Sequence, residues 1–126
     1  MTIEEVNRIS GIVVDCALRV HIALGPGLLE SVYKTCLVQE LVERGLRVRI
    51  EVPLPVVYKD TKLEAGYRID VLVEECVVVE VKAVESLHPV FEAQILTYLK
   101  LSGNRVGLLL NFNVVQMKQG IRRLIV

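Results

Sequence analysis

Two kinds of apolar spacing divide the chain. Between residues 4 and 24, apolar side chains recur at Val6, Ile9, Val13, Cys16, Val20 and Ala23. Steps of three and four describe one face of an amphipathic helix. Gly25-Pro26-Gly27 breaks the period, because proline lacks an amide donor and the glycines permit a sharp turn. The helical spacing resumes at Leu29, Val32, Tyr33, Cys36, Leu37 and Leu41, and Gly45 is placed as its C-terminal stop.

From Leu46 to Tyr58 the pattern turns to alternation, with Val48, Ile50 and Val52 set against charged neighbours. This predicts a strand with one polar face. Pro53 and Pro55 cannot both serve a central ladder, so the strand belongs at an edge or a bulge. Lys59, Asp60 and Thr61 predict a turn, residues 63–73 a second strand and residues 77–84 a third. Pro89 opens a helix through Leu101, stopped by Ser102-Gly103-Asn104. Val106 to Leu110 is wholly apolar, as in a strand covered on both sides, and a last strand is expected near residues 120–126. The order is α-α-β-β-β-α-β-β: an antiparallel meander, then a helical crossover returning the chain to a central mixed sheet. With 126 residues and no repeat or linker, one α/β domain over residues 1–126 is expected.

Candidate chemistry sits where the buried strands turn polar. Val77-Val78-Val79 gives way to Glu80-Val81-Lys82, and alternation puts Glu80 and Lys82 on one face. Whether Asp70 joins them depends on register. Opposed residues in an antiparallel hairpin keep a constant index sum, so pairing Asp70 with Glu80 also pairs Val73 with Val77 and leaves a three-residue loop, Glu74 to Cys76. A two-residue turn would place the carboxylates on different faces. In the first register two carboxylates, an ammonium and the Val81 carbonyl converge, a set of hard oxygen ligands suited to Mg²⁺ or Mn²⁺. Such an ion lowers the pKa of an attacking water and offsets charge in phosphoryl-transfer chemistry. Lys82 would then orient the water or stabilise the phosphorane. The bland alternative is a cross-strand ion pair.

Two helices offer further groups. Gln94 and Tyr98, four apart, share a face and can reach one ligand together. Glu30, in the first turn after the glycine break, reads either as a helix-dipole partner or as a metal ligand. His21 and His88 lie beside helix breaks, where capping or packing is the expected role. Arg68 is placed either to hold a phosphate or to pair with a carboxylate such as Glu64.

Composition narrows the picture. Fifteen basic and fifteen acidic residues give a net charge of +0, so nucleic-acid contact must be local. The candidate patches are Arg44 with Arg47 and Arg49, Lys59 with Lys62, and Lys118 with Arg122 and Arg123. Apolar residues make up 52% and mean hydropathy is +0.47, a surplus that suggests a homo-oligomer, with a dimer the simplest case. Asp15, Arg19 and His21 interrupt the most apolar stretch and MTIEEVNR lacks a secretion signal, so the expectation is a cytoplasmic protein without a membrane span. Three cysteines without CxxC spacing predict reduced, buried thiols.

Taken together, the motifs resemble the PD-(D/E)XK nuclease superfamily and, within it, the small bacterial and archaeal GxxExxY proteins. They run from His21-Ile22-Ala23-Leu24-Gly25-Pro26 and Gly27-Leu28-Leu29-Glu30-Ser31-Val32-Tyr33 through Tyr67-Arg68-Ile69-Asp70, Glu80-Val81-Lys82-Ala83 and Gln94-Ile95-Leu96-Thr97-Tyr98-Leu99 to Gly107-Leu108-Leu109-Leu110-Asn111-Phe112. The resemblance implies a restriction-endonuclease-like core with Asp70, Glu80 and Lys82 at the catalytic positions and Glu30 as the helix-borne acid. It also implies that Gln94 and Tyr98 are the helix motif of the recombination-nuclease-like branch. The implied activity is divalent-metal-dependent hydrolysis of DNA or RNA, with Glu30, Asp70, Glu80 and Val81 around the metal. The alternative is a non-cutting nucleic-acid-binding or protein-interaction module on the same fold.

Overall fold

The computed structural model describes residues 1–126. Helix α1 (Ile3–Leu24) starts at a capping box in which Thr2 and Glu5 satisfy each other's backbone amides, and it stops at Gly25, whose φ of 67° suits glycine. Its buried stripe follows the expected period through Val6, Ile9, Val13, Cys16 and Val20 but ends on His21, with Ala23 exposed. Helix α2 (Glu30–Glu43) buries only Tyr33, Leu37 and Leu41. Leu29 and Val32, expected inside, are exposed, because only the 33/37/41 row of α2 faces the core. Beyond Arg44, Gly45 and Leu46 donate to the carbonyls of Val42 and Leu41, a Schellman stop at the expected glycine.

The central sheet has the order β1-β4-β5-β6-β7, built from β1 (Val48–Pro53), β4 (Arg68–Val73), β5 (Val77–Lys82), β6 (Val106–Asn111) and β7 (Ile121–Ile125). β1, β4 and β5 form the antiparallel meander, and β6 lies parallel to β5 after the crossover helix α3 (Pro89–Ser102). β7 closes the far edge, antiparallel to β6, following a 3₁₀ turn at Met117–Gly120. The proline-bearing β1 is an edge strand, as its composition requires.

One expectation needs correcting. The runs 46–58 and 63–73 are not two unbroken strands: Leu54 and Pro55 interrupt the first, and residues 64–67 are irregular. β2 (Val56–Tyr58), cut from the first run, pairs as a separate hairpin with β3 (Thr61–Leu63), which takes Thr61 from the expected turn and Leu63 from the second run, leaving Lys59-Asp60 as the turn. Proline at 53 and 55 and glycine at 66 explain why neither run continues.

The helices cover the sheet unequally. α1 and α2 close one face over a core that includes Val71, Val73, Val77, Val79, Leu108 and Phe112. α3 alone closes the other, with Ile95, Tyr98 and Leu99 on Leu72, Val78 and Leu109. Gly107 lets α3 come close, since a Cβ there would lie 2.8 Å from Ile95 Cγ2. All three cysteines are free; Cys16 and Cys76 are buried and Cys36 is half-buried. No helix is long and apolar enough to cross a membrane.

Candidate active site

The β4–β5 hairpin takes the register that unites the carboxylates. Val73 pairs with Val77, Leu72 with Val78 and Val71 with Val79, leaving the three-residue loop Glu74 to Cys76. One step further the regular ladder stops, and side chains replace it. Glu80 Oε1 accepts from the Asp70 amide at 3.3 Å, while Asp70 Oδ2 accepts from the Val81 amide at 3.0 Å. Each carboxylate is thus locked to the backbone of the opposite strand.

The other neighbour of β4 is distorted at the same level. Pairing of β1 with β4 skips Glu51 and Asp70 although the register is the same on either side. Glu51 has φ 51°, a left-handed conformation inside a strand, which costs on the order of 1–3 kcal/mol. Lys34 of α2 ion-pairs with Glu51 and brings its Nζ to 3.6 Å from Asp70 Oδ1. Ile69 packs on the α3 side and Val71 on the α1/α2 side, so the inward alternation of β4 turns over at Asp70.

Glu80 is 5% exposed. Burial, then repulsion from Asp70, pushes its carboxyl up to about 8. Lys82 does not ion-pair with Glu80; its ammonium lies 4.6 Å from the Phe91 ring centroid, a cation–π contact that holds it beside α3. Gln94 donates to the Tyr98 hydroxyl at 3.1 Å, and burial together with the charges of Glu80 and Asp70 raises the Tyr98 phenol. The ammonium of Lys34 is disfavoured by burial, but its carboxylate partners outweigh this and raise its pKa.

Asp70, Glu80 and the Val81 backbone therefore meet directly, with Lys82, Gln94 and Tyr98 beside them. Glu30 does not meet them: it is exposed at the start of α2, without a hydrogen bond or ion pair, one turn before Lys34 on the same helix face. No three His, Cys, Asp or Glu side chains converge anywhere. The donor set still suits a hard divalent cation of the Mg²⁺ type, which needs only one or two carboxylates and completes its shell with water and phosphate. Two adjacent carboxyls, of which Glu80 is buried and has its pKa raised by that burial and by the charge of Asp70, are a pair that gains from such a cation.

Several neighbouring residues position this site. The Tyr33 hydroxyl donates to the Gly25 carbonyl at 2.6 Å and accepts from the Leu28 amide at 3.0 Å, and its ring stacks on Phe112 at 4.7 Å. The tyrosine thus fixes the Gly25–Leu28 turn and the point from which Glu30 and Lys34 project. Asn111 Oδ1 accepts from the Val84 amide and its Nδ2 donates to the Val84 carbonyl, both at 3.0 Å, bracing β5 just past Lys82. A Cβ at Gly120 would fall 2.0 Å from the Asn111 carbonyl oxygen, so only glycine fits beside that brace.

The histidines are structural, as expected. His21 Nε2 lies 2.7 Å from the Val114 carbonyl, and His88 Nδ1 caps α3 by accepting from the Val90 amide. Glu64 pairs with Lys62, leaving Arg68 without an ion pair. Most of the candidate basic patches are neutralised: Arg44 pairs with Asp15, Arg47 with Glu74, Arg49 with Glu75 and Arg122 with Glu92.

The order Asp70, Glu80, Lys82 on adjoining strands of a mixed sheet, with a crossover helix behind, coincides with a match of residues 7–124 to the model of the PD-(D/E)XK nuclease superfamily. The chain belongs to that superfamily. No curated protein and no solved structure gives a significant match. PD-(D/E)XK nucleases generally use divalent metals and act on nucleic acid. Three residues without an obvious sequence signal adjoin this cluster: Lys34 beside Asp70, Glu51 paired with Lys34, and Phe91 beneath the Lys82 ammonium. Asn111 did carry one, as the first polar residue after a wholly apolar strand.

Proposed function

We propose that the protein is a divalent-metal-dependent nuclease hydrolysing phosphodiester bonds of DNA or RNA at the Asp70–Glu80 pair. The observation that carries this reading is the pair itself: two carboxyls interlocked through opposing backbone amides, one of them buried enough to titrate near 8. Asp70 and Glu80 would hold Mg²⁺ or Mn²⁺, with Glu30 able to add a contact only after movement of its exposed side chain. When bound, the ion would supply Lewis acidity toward a phosphate oxygen and lower the pKa of a water. Lys82, on the same strand face as Glu80, donates from its ammonium to that water or to the phosphate. Lys34 keeps Asp70 oriented through Oδ1, and Gln94 holds the Tyr98 hydroxyl at the α3 wall of the site.

Titration calorimetry with Mg²⁺ and Mn²⁺, run beside cleavage of labelled DNA and RNA, tests this. Asp70→Asn is expected to abolish metal binding and reduce cleavage about 10²- to 10³-fold. Lys82→Ala is expected to leave metal binding intact and still lose cleavage. Absence of any divalent binding, or wild-type cleavage by both variants, overturns the proposal.

A second reading, a non-cutting nucleic-acid or protein interaction module, draws on the net charge of +0 and the paired arginines. It predicts no cleavage by the wild-type chain. Steep loss of DNA binding with salt identifies a nucleic-acid module, whereas no DNA binding even at low salt favours a protein partner.

A further inference from the structure

Next to the carboxylate pair, between α3 and the segment that precedes β4, lies a groove of about 540 Å³. Seven of its nine lining residues are apolar or aromatic, and none is charged, which makes it a poor place for a phosphate. Tyr67 and Tyr98 form one wall, their ring centroids 6.3 Å apart and tilted by 59°. Tyr67 is 46% exposed, so a large part of its ring has no protein against it. Val90 and Phe91 line the side nearer the site, and Gln94 offers the only amide. Its Nε2 is taken by Tyr98, while Gln94 Oε1 and the Tyr98 O–H make no further bond to protein.

The groove and the catalytic pair are continuous. Phe91 lines the groove and carries the Lys82 ammonium on its ring; Tyr98 lines it and senses the charges of Glu80 and Asp70. An occupant therefore needs an anionic group for the site and, a few bonds away, a flat apolar body with polar edges. A nucleotide within a strand has that layout, with its phosphate at the carboxylates and its base on the tyrosines. In a duplex the base is stacked and paired, so only an unpaired base can enter.

We infer that the Tyr67–Tyr98 groove is a base-stacking subsite that makes this protein select single-stranded or locally unpaired nucleic acid. The inference rests on the nuclease reading for the position of the phosphate, but recognition in the groove requires no cleavage. Stacking on an aromatic ring would also let a chain of net charge +0, with most of its candidate basic patches paired, hold nucleic acid, because stacking needs no net charge.

The test is equilibrium binding with divalent cations chelated, so that no cutting occurs. The probes are a labelled thymidine oligomer, an abasic oligomer of equal length and a blunt hairpin duplex. The thymidine oligomer is expected to bind about tenfold more tightly than either of the others. Tyr67→Ala is expected to erase that ratio and Tyr67→Phe to keep it, circular dichroism confirming that both fold. Equal binding of thymidine and abasic oligomers, a measurement on the wild-type chain alone, overturns the inference, as does an unchanged ratio in Tyr67→Ala. A uridine oligomer added in parallel identifies the preferred sugar, and discrimination against its abasic form supports the subsite equally. Strand selection without metal-dependent hydrolysis removes the nuclease reading and leaves the subsite; hydrolysis without strand selection does the reverse.

Discussion

The two faces of the sheet are built to different standards of closure. On the α1/α2 face 20 buried residues form one continuous cluster with three fully buried α2 side chains, Tyr33, Leu37 and Leu41, seated in it. On the α3 face only eight do, and the remaining area holds Glu80, the Phe91–Lys82 contact and the open groove. Two helices suffice to exclude water from one side; a single helix leaves room at the end of β5, where the proposed site lies. On the proposed reading, stability and reactivity are divided between faces of the same five strands, and a substitution should reveal which face it touches.

The sharpest break is expected from Leu37→Ala. Leu37 is fully buried on the closed face, and a leucine-sized void there costs about 3 kcal/mol, measurable by urea unfolding. The two carboxylates should keep their geometry, because α2 reaches them through Lys34 rather than through Leu37.

Glu80→Gln should act in the opposite sense. A carboxyl that titrates near 4.5 when unfolded and near 8 when folded keeps its proton in the native state across that interval. Its contribution to stability is full below pH 4.5 and is lost as pH rises through 8. Wild-type unfolding free energy measured without divalent cations should therefore decline over this interval. The glutamine variant should show a flatter profile and exceed the wild type at the alkaline end. A wild-type profile that rises with pH there, with no contrast to Glu80→Gln, would mean that the pair is solvated and the α3 face is as bland as any surface.

The smallest effect should come from His88→Ala, which removes the cap of α3. A loss of about 1 kcal/mol is expected, with faster amide exchange confined to the first turn of α3. If exchange quickens equally in α1, the faces are more tightly coupled than their packing indicates.

Much of this division was legible in the residues. Because the pleat has a period of two, counting reduced the Asp70–Glu80 level to a choice between two loop lengths, and the three-residue loop Glu74 to Cys76 decides it. The parallel crossover followed from an apolar strand after a proline-initiated helix. What escaped depended on approach from elsewhere in the fold. Lys34 reads as an ordinary exposed-face lysine until α2 is packed, and Glu51 as a strand-surface glutamate until its φ turns positive against Asp70. The turn at Lys59-Asp60 was legible, but β2 was absorbed into the strand before it and Leu63 into the strand after it, and only the missing ladder partners reveal the cut. Lys82 was expected to converge with Glu80 and Asp70, since the aromatic ring that draws it away lies nine residues on, in α3.

The Asn111 brace has a consequence for how this architecture can vary. Its amide group takes both backbone positions of Val84, and the Phe112 amide takes the carbonyl of Lys82, so β6 holds the end of β5 from the side. The path from Glu85 to Leu87 is then not needed to place the backbone of Lys82. The exposed Glu85-Ser86 step is free to lengthen or change character, while Leu87 packs on the α3-side core and the Lys82 backbone stays where β6 has pinned it.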